Sequence, residues 1–599
     1  MTIAHAEDQL NASLGVLPEW DLNDLYPGTD SPELTADLER AAKDSKTFTG
    51  RYRGKLAGLD GRTLGTAIAE FEAIDEIMGR VMSYAQLVYA GNGSDPEIGR
   101  AYQTMQERVN DISADILFFS LELNHIDDRT LAKQLKAPEA ARYKPWLDDV
   151  RSFRPHQLDE EIERLLHDKR VAGRAAWNRL FDETMADMRF DYDGKKLTSE
   201  EVMNMLSNPD EGIRKKASES LGGELQKHAR TFSLITNTLA KDKDIEDRWR
   251  KFARPESSRN LANQVEDEVV DALNRAVQGS YADLSHRYYA MKAKWFGKDQ
   301  LDHWDRNAPL PDADNSVIPW QKATETVLSA YGDFSADLAE IGKRFFDNAW
   351  IDAPVREGKS SGAFAHPTVP SAHPYLLLNY QGKTRDVMTL AHELGHGCHQ
   401  VLAAPQGNLM ADTPLTLAET ASVFGEMLTF RKMLRVEDDP AKRKIMLAGK
   451  VEDMINTVVR QIAFFNFELR VHTARADGEL TADDICDIWM GVQTESLGPA
   501  IRFDDNYRWY WSYIPHFIHS PFYVYAYAFG DCLVNSLYAV YEQAADGFAD
   551  KYLNMLRAGG TLRHTEFLAP FGLDASDPAF WQKGIDVVSG LIDELEGMD

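Results

Sequence analysis

The sequence predicts a mainly α-helical protein with a small β-sheet. Apolar residues recur at three- and four-residue spacing through long stretches, including 63–90, 97–123 and 157–187, and turn-forming residues bound each stretch. A different pattern occupies 359–382, where Gly, Pro and Ser alternate with short apolar runs and indicate a small antiparallel sheet. The three- and four-residue spacing of the apolar residues therefore predicts a mainly α-helical fold.

Composition and charge exclude several kinds of partner. The 599 residues include 95 acidic and 66 basic side chains, for a formal net charge of -29. Nucleic acids bind concentrated Lys and Arg, so this excess of acid disfavours them and favours cationic ligands. No apolar run approaches the length of about 18 residues that a spanning helix needs. The N-terminal segment also lacks the basic and apolar regions of a secretory signal. We expect a soluble protein with no membrane partner.

The three cysteines, Cys398, Cys486 and Cys532, lie far apart in the sequence. Their odd number and wide spacing support neither a disulfide framework nor a CxxC metal site. Unpaired thiols are typical of a reducing compartment. We therefore expect a cytoplasmic location, and we leave the oligomeric state open.

A turn interrupts the helical pattern after the first third of the chain. Asp193-Gly194 lies between short alternating segments and predicts a β-hairpin. Thr198 and Glu201 have the spacing of a capping box that begins the next helix. We place a soft boundary here. It separates an N-terminal helical region, 1–197, from a longer catalytic region, 198–599.

The apolar run YLLLNY, residues 375–380, reads as an extended strand directly before a histidine-rich segment. A strand with a free edge can pair with an extended peptide through main-chain hydrogen bonds. We expect this strand to contribute such an edge.

The segment TLAHELGHGCHQ, residues 389–400, concentrates histidine in a chain that has only 16 of them. Helix signals surround it, because Thr384 can cap a helix over 385–403 and Asp386 suits the positive end of its dipole. The segment is either a polar helix face or a metal site.

His392 and His396 lie one turn apart on the predicted helix, so both imidazoles can reach one ion. Glu393 points about 100° away from His392, where it can meet a water molecule without binding the metal. This is the H-E-x-x-H arrangement of two zinc ligands and a general base.

A third ligand is needed, and His399 is the nearest candidate. His392 and His399 are seven residues apart, which is about 10.5 Å along a straight helix. Since zinc bonds are about 2 Å long, one ion cannot easily be shared by both. We expect His399 to pack beside the site, and its role as a ligand stays an alternative.

Glu419 is the better third ligand. It lies on a second predicted helix, over 412–434, with Thr413 as its cap, and its neighbours on the same stripe are apolar. A carboxylate on an apolar face is costly to bury without a cation or a donor. Glu426 and Ser422 are expected to orient the ligands through hydrogen bonds, and an ordinary buried hydrogen bond is the alternative for Glu426.

An aromatic segment, 504–531, is dense in Tyr, Trp, Phe and His. Most of these rings are expected to be core. Peptide hydrolysis also needs donors aimed at the developing oxyanion, and Tyr or His can supply them. The first candidates are His516, Tyr523 and Tyr527, and the second choices are Tyr525 and His519.

Taken together, these motifs resemble a known family. AHELGHGCHQ, then LAETASVFGE, then IPHFIHSPFYVYAYAFG are similar to the oligoendopeptidase F branch of the thimet oligopeptidase-like zinc metallopeptidases. Weaker similarities, including WDLNDLYPG near the start and FLAPFGLDASDPAFWQKG near the end, extend the resemblance over nearly the whole chain.

The resemblance implies a two-lobed, helical, zincin-type metallopeptidase with a deep substrate channel. The small sheet would lie beside the zinc helix, and one Zn²⁺ would bind per chain. The family's ligands correspond to His392, His396 and Glu419, and its catalytic glutamate corresponds to Glu393. Family members cleave oligopeptides, and their C-terminal motif contacts the substrate or the oxyanion. That role corresponds to His516 and to Tyr527 or Tyr523.

The expected function is therefore zinc-dependent endopeptidase activity on short, unstructured oligopeptides. A carboxypeptidase or dipeptidase on a similar scaffold is one alternative, although an exopeptidase needs a charged group to hold the substrate terminus. The second alternative is a non-enzymatic peptide-binding protein. Glu393 argues against it, because a purely structural zinc site does not need a general base.

Overall fold

The computed structural model describes residues 13–170, 172–310, 317–544 and 546–598. Helices make up most of this part of the chain, which confirms the predicted fold class. None of them is both long enough and apolar enough to cross a membrane. The segment examined for a secretory signal lies partly outside the described residues.

From the N-terminus, the helices of the described residues begin with α1 (Pro32–Tyr52), α2 (Gly61–Gly91), α3 (Pro96–Ile116), α4 (Phe118–His125), α5 (Asp128–Gln134), α6 (Pro138–Ala141), α7 (Lys144–Ser152), α8 (Glu160–Lys169), α9 (Arg174–Asp187), α10 (Ser199–Met205), α11 (Glu211–Arg250), α12 (Ser257–Ala262) and α13 (Asp267–Gly279). They continue with α14 (Arg287–Trp295), α15 (Trp320–Phe334), α16 (Ala336–Asp347), α17 (Thr384–Ala403), α18 (Leu415–Val436), α19 (Pro440–Thr457), α20 (Val459–Asp477), α21 (Ala482–Leu497), α22 (His516–His519), α23 (Tyr525–Gln543), α24 (Phe548–Arg557), α25 (His564–Leu568) and α26 (Pro578–Glu596).

Polar side chains begin several of these helices. Ser31, Asp60 and Asp210 each accept a backbone N–H of the following first turn, which satisfies a donor that the helix itself leaves unpaired. Two of the periodic stretches are each split into two helices. The first divides at Leu117, between α3 and α4, and the second divides before Gly173, which precedes α9.

The chain divides into two compact units, and each is assembled from separate stretches of sequence. The first unit comprises 1–154, 315–436 and 540–572, and the second comprises 155–314, 437–539 and 573–599. The boundary expected at 197/198 falls inside the first stretch of the second unit. The division into an N-terminal and a catalytic region stays a prediction.

The predicted hairpin is present. Strands β1 (Phe190–Tyr192) and β2 (Lys195–Leu197) pair in antiparallel fashion. Asp193 and Gly194 connect them with positive φ angles of 49° and 79°, the backbone that a tight two-residue turn requires. The capping box that follows at Thr198 is also present.

The first unit contains a three-stranded sheet in which the strands lie in the order β4-β6-β5. Its members are β4 (Ile351–Asp352), β5 (Phe364–His366) and β6 (Tyr375–Leu377). Strands β4 and β6 are parallel, whereas β5 and β6 are antiparallel, and both β5 and β6 contact α17. A further short parallel pair, β3 (Leu301–Asp302) and β7 (Ile501–Arg502), belongs to the second unit.

The expectation that the strand at 375–380 offers a free edge is wrong. β6 is the central strand and its residues are fully buried, so both of its edges are occupied within the sheet. The edge strands of this sheet are β4 and β5. The small sheet beside the histidine-bearing helix is present, but it is mixed rather than antiparallel, because β4 pairs with β6 in parallel.

The cysteines are all buried and unpaired. Cys398 lies on α17 in the first unit, while Cys486 and Cys532 lie on α21 and α23 in the second. No disulfide framework exists among them, as their spacing predicted.

Candidate metal centre

Helix α17 carries the histidine-rich segment and begins close to its predicted start. Thr384 is its first residue rather than its cap, because the N-cap position belongs to Lys383. Asp386 accepts the backbone N–H groups of Lys383 and Gln381, at 3.0 and 2.8 Å. The acidic residue expected to suit the dipole therefore also satisfies two donors at the helix start.

Helix α18 packs directly against α17, and glycine makes this close approach possible. A Cβ atom at Gly395 would lie 2.4 Å from the carbonyl oxygen of Ala421, well inside contact distance. Tyr331, on α15, fixes α17 from another side, since its hydroxyl donates to the Ala391 carbonyl at 2.6 Å. Helix α18 begins at Leu415 and ends at Val436, slightly later at both ends than the predicted range of 412–434.

The two helices bring the three predicted ligands together. The Nε2 atoms of His392 and His396 lie 3.3 and 3.5 Å from one carboxylate oxygen of Glu419. All three donor atoms lie within 4.8 Å of one another. A tetrahedral ion with bonds of about 2.0–2.1 Å separates its donors by roughly 3.3 Å. The spacing of these side chains therefore fits one zinc-sized cation.

The chemistry of the donors also fits a cation. The Nδ1 atom of His392 lies 3.3 Å from a carboxylate oxygen of Glu426. A neutral His392 that donates its Nδ1–H to Glu426 directs the lone pair on Nε2 towards Glu419. Ser422 donates its hydroxyl to Glu419 at 2.7 Å. The contacts predicted for Glu426 and Ser422 are thus present, and they leave lone pairs converging on the same point.

The electrostatics of the site favour positive charge. Burial lowers the pKa of His392, but its hydrogen bonds to Glu419 and Glu426 outweigh burial and raise that pKa to about 10. Burial raises the pKa of Glu419, yet hydrogen bonds from the two imidazoles hold it well below its usual range. Protons and a metal ion therefore compete for the same donors, so metal uptake displaces protons.

Glu393 lies on α17 beside the ligands and is only 7% exposed. Burial raises its pKa, while the charges of His392 and His396 and the backbone amide of Ala365, on strand β5, oppose the shift. A carboxylate whose pKa is raised towards neutrality is suited to accept and return a proton. Ala365 was not identified from the sequence, because a three-residue edge strand leaves no clear pattern.

His399 is not part of the donor cluster. Its Nε2 atom lies 3.4 Å from the Thr413 hydroxyl, and burial lowers its pKa to about 4. His399 and the predicted ligand His396 line a cavity of about 870 Å³ in the first unit. The position of His399 agrees with the prediction that it packs beside the site.

The candidates from the aromatic segment lie in the second unit, where three of them cluster. The Tyr527 hydroxyl lies 3.4 Å from Nε2 of His516, and the ring of Tyr523 lies 6.1 and 5.3 Å from the rings of His516 and Tyr527. Tyr525 is buried and accepts a hydrogen bond from Asn263. Tyr525 therefore belongs to the core, as most of the segment was expected to.

His519 is held elsewhere by a separate set of contacts. Its Nε2 atom lies 2.8 Å from a carboxylate oxygen of Asp182, and its ring meets Phe181 edge-on. Among the sequence candidates, the structure therefore groups His516 with Tyr523 and Tyr527 and leaves His519 outside that group.

Comparison with known proteins identifies the family and agrees with the fold. A sequence model of the family described as Peptidase family M3 matches residues 204–587, and one described as Oligopeptidase F matches 122–190. Oligopeptidase PepF of Bacillus subtilis is 25% identical over 595 residues, covering 96% of this chain and 86% of the relative.

Solved structures share the fold. A crystal structure from Chlamydophila abortus aligns with a TM-score of 0.86 at 23% identity, covering 98% of this chain and 99% of that one. Oligoendopeptidase-F from Enterococcus faecium aligns with a TM-score of 0.69 at 20% identity, covering 94% and 99%.

A helical fold with a converging His, His and Glu donor set is an arrangement that metallopeptidases use. The family match extends over more than half of the chain, and the chain belongs to peptidase family M3. It is a metalloendopeptidase that resembles oligoendopeptidase F, as its sequence motifs indicated.

Proposed function

We propose that this protein is a zinc-dependent endopeptidase that hydrolyses short, unstructured oligopeptides. The convergence of His392, His396 and Glu419, with the buried Glu393 beside them, is the observation that carries the proposal. Two imidazoles and one carboxylate are the donor set of many catalytic zinc sites, which keep a fourth position open. We also propose a cytoplasmic location, which the three unpaired cysteines support.

His392, His396 and Glu419 would hold the ion, with Glu426 and Ser422 fixing two of these side chains. A bound zinc ion would supply Lewis-acid chemistry, which activates a water molecule and polarises the scissile carbonyl. Everything else in the reaction falls to the protein's own side chains and backbone.

Glu393 acts as the general base in this proposal. Its carboxylate takes a proton from the attacking water molecule and later delivers the proton to the nitrogen of the leaving amine. Burial supports both halves of this cycle, because the raised pKa allows the carboxyl to hold the proton between the two steps.

The substrate backbone pairs with strand β5. This edge strand lies beside α17, and the amide of Ala365 is close enough to Glu393 to influence its pKa. Pairing through main-chain groups does not depend on the substrate's side chains. Such pairing accounts for tolerance of many peptide sequences.

His516 and Tyr527 stabilise the oxyanion, and Tyr523 is the alternative donor. The assignment rests on the family resemblance of their motif and on the contacts among the three rings. Burial lowers the pKa of His516, so the imidazole is neutral near pH 7 and one ring nitrogen can donate.

The test of the general base is Glu393→Gln, which keeps the size of the side chain but cannot accept the proton. We expect zinc content to stay at the wild-type level while kcat falls by about 10²–10⁴-fold. Glu340→Gln, an exposed change of the same kind on α16, is the control and should leave kcat unaltered. Wild-type activity in the Glu393 variant would exclude this role.

Metal dependence and mode of cleavage are tested together on a mixture of short peptides. We expect a chelator to abolish hydrolysis and added zinc to restore it. Mass spectrometry of the products should show cuts within the peptides. Removal of single residues or dipeptides from one end would instead favour the exopeptidase alternative.

A further inference from the structure

Glu468, on α20 in the second unit, is a buried carboxyl that the mechanism above does not use. It is 2% exposed. Its Oε1 atom accepts the backbone N–H of Phe522 at 2.9 Å. Within the described part of the chain, its Oε2 atom has no hydrogen-bond partner. Burying a carboxyl oxygen without a hydrogen-bond partner costs free energy, so Glu468 is a costly residue to bury at this position.

Phe522 has an unusual backbone. Its φ angle is +58°, a region that a residue with a bulky side chain rarely adopts and that costs free energy. The surrounding structure holds it there. The ring is fully buried, 6.0 Å from the Phe465 ring and 4.8 Å from the His472 ring. Arg259 also donates to the carbonyl of the preceding residue, Pro521, at 3.3 Å.

This strained residue directly precedes Tyr523 in the segment that carries the proposed oxyanion donors. A relaxation of φ at Phe522 would rotate the chain that follows it and change the direction of the Tyr523 side chain. It would also shift the start of α23, which carries Tyr527, relative to His516. The hydrogen bond from Phe522 to Glu468 opposes that relaxation.

We propose that Glu468 is a positioning residue, which fixes the strained backbone at Phe522 and thereby the arrangement of His516, Tyr523 and Tyr527. The inference rests on the proposed function, since it assigns those three side chains to the reaction. Glu468 itself needs only to accept a hydrogen bond. A glutamine can do this, whereas the thioether of a methionine of similar size is only a weak acceptor.

Two substitutions in the full-length, zinc-loaded enzyme test whether accepting the hydrogen bond from Phe522 is what Glu468 contributes. In Glu468→Met, kcat should fall by about 10²-fold, the effect expected of a misplacement near 1 Å. KM should stay within about twofold, because ground-state binding is not the target. In Glu468→Gln, kcat should return to near the wild-type value. A wild-type kcat in the methionine variant, or equal losses in both variants, would overturn the proposal.

Glu163→Met is the matched control. Glu163 lies on α8 in the same unit, and its carboxylate also accepts a backbone N–H, that of Leu158, at 2.9 Å. Its loss should leave kcat unchanged. A loss of kcat as large as that of Glu468→Met would show that removing any such carboxylate is enough, and would overturn the proposal.

Hydrogen exchange gives a readout that does not depend on activity. Amides within 516–527 should exchange faster in Glu468→Met than in the wild type or in Glu163→Met, and unaltered protection would overturn the proposal. If His516→Gln and Tyr527→Phe both keep full activity, the oxyanion assignment fails on its own. Exchange then still decides whether Glu468 holds the segment.

Discussion

At the scale of single residues, spacing along the helices determines the candidate metal centre. His392 and His396 point to one side of α17 because four residues make about one helical turn. Glu419 could be predicted because a carboxylate among apolar neighbours needs a cation or a donor. Both signals are local, so the sequence contained them. Glu468 left no such signal, because FFNFELR reads as an ordinary apolar helix and the partner, Phe522, is distant in sequence.

The hydrogen bond from Ser422 to Glu419 orients a proposed metal ligand. We expect Ser422→Ala to weaken zinc affinity by about tenfold or more, the usual effect of losing such a contact. Competition with a chromophoric chelator measures this affinity. Ser329→Ala, which removes an exposed hydroxyl that contacts Lys432, is the control and should leave zinc affinity unchanged.

Glu468 also predicts a pH dependence of stability. Burial raises its pKa to about 8, and the positive charges of Arg259 and Lys243 oppose the shift without cancelling it. His472, which packs on Phe522, stays uncharged because burial lowers its pKa to about 3. Since the folded-state pKa lies above the unfolded value of about 4.3, the stabilising contribution is complete below pH 4.3 and is lost as the pH rises through 8.

Glu468→Gln removes this titration. Its melting temperature should rise relative to the wild type as the pH increases from about 5 to 8, by calorimetry at each pH. Glu163→Gln should show no such trend over the same range, because the hydrogen bond from Arg250 lowers the pKa of Glu163 instead. A constant difference between Glu468→Gln and the wild type would contradict the assignment.

At the scale of elements, the distance between α17 and α18 decides whether the ligands meet. Gly395 has no Cβ, and this allows the backbone of Ala421 to approach. A glycine inside a helix normally destabilises it, so its presence in HELGHG is a sequence signal for close packing. The order of the strands had no equivalent signal. β4 contributes only Ile351 and Asp352, and two residues are too few to reveal a strand that pairs with β6.

Gly395→Ala should therefore destabilise the protein by about 1–3 kcal/mol, since a new methyl group forces two backbones apart. Zinc affinity should fall with it, because Glu419 moves away from the imidazoles. Gly449→Ala is the opposite case, as nothing lies within 4 Å of the added carbon. It should stabilise α19 by about 0.5–1 kcal/mol. Thermal unfolding and zinc titration of both variants provide the comparison.

At the scale of the whole molecule, chain order and compact units do not coincide. The N-terminal stretch of the first unit contacts residues more than 300 positions away, for example where Asn408 donates to Asp75 at 2.8 Å and the Leu409 amide donates to Glu72 at 3.2 Å. Periodicity detects only near neighbours, so contacts of this kind could not be read from one sequence.

A fragment beginning at residue 198 tests the predicted division of the chain. It lacks helices α1–α7 of the first unit, and with them the partners of Asn408 and Leu409. We expect the fragment to show no cooperative melting transition and no hydrolysis, in contrast to the full chain. A folded, active fragment would show that the catalytic region is independent.

Because every cysteine is buried, the thiols of the folded protein are protected from reagents that would modify them in the unfolded chain. An alkylating reagent meets no cysteine thiol on the surface, so each labelled cysteine records an opening of the structure around it. Because Cys398 sits on the histidine helix and the other two thiols belong to the second unit, mass spectrometry of labelled peptides would report separately which unit opens first.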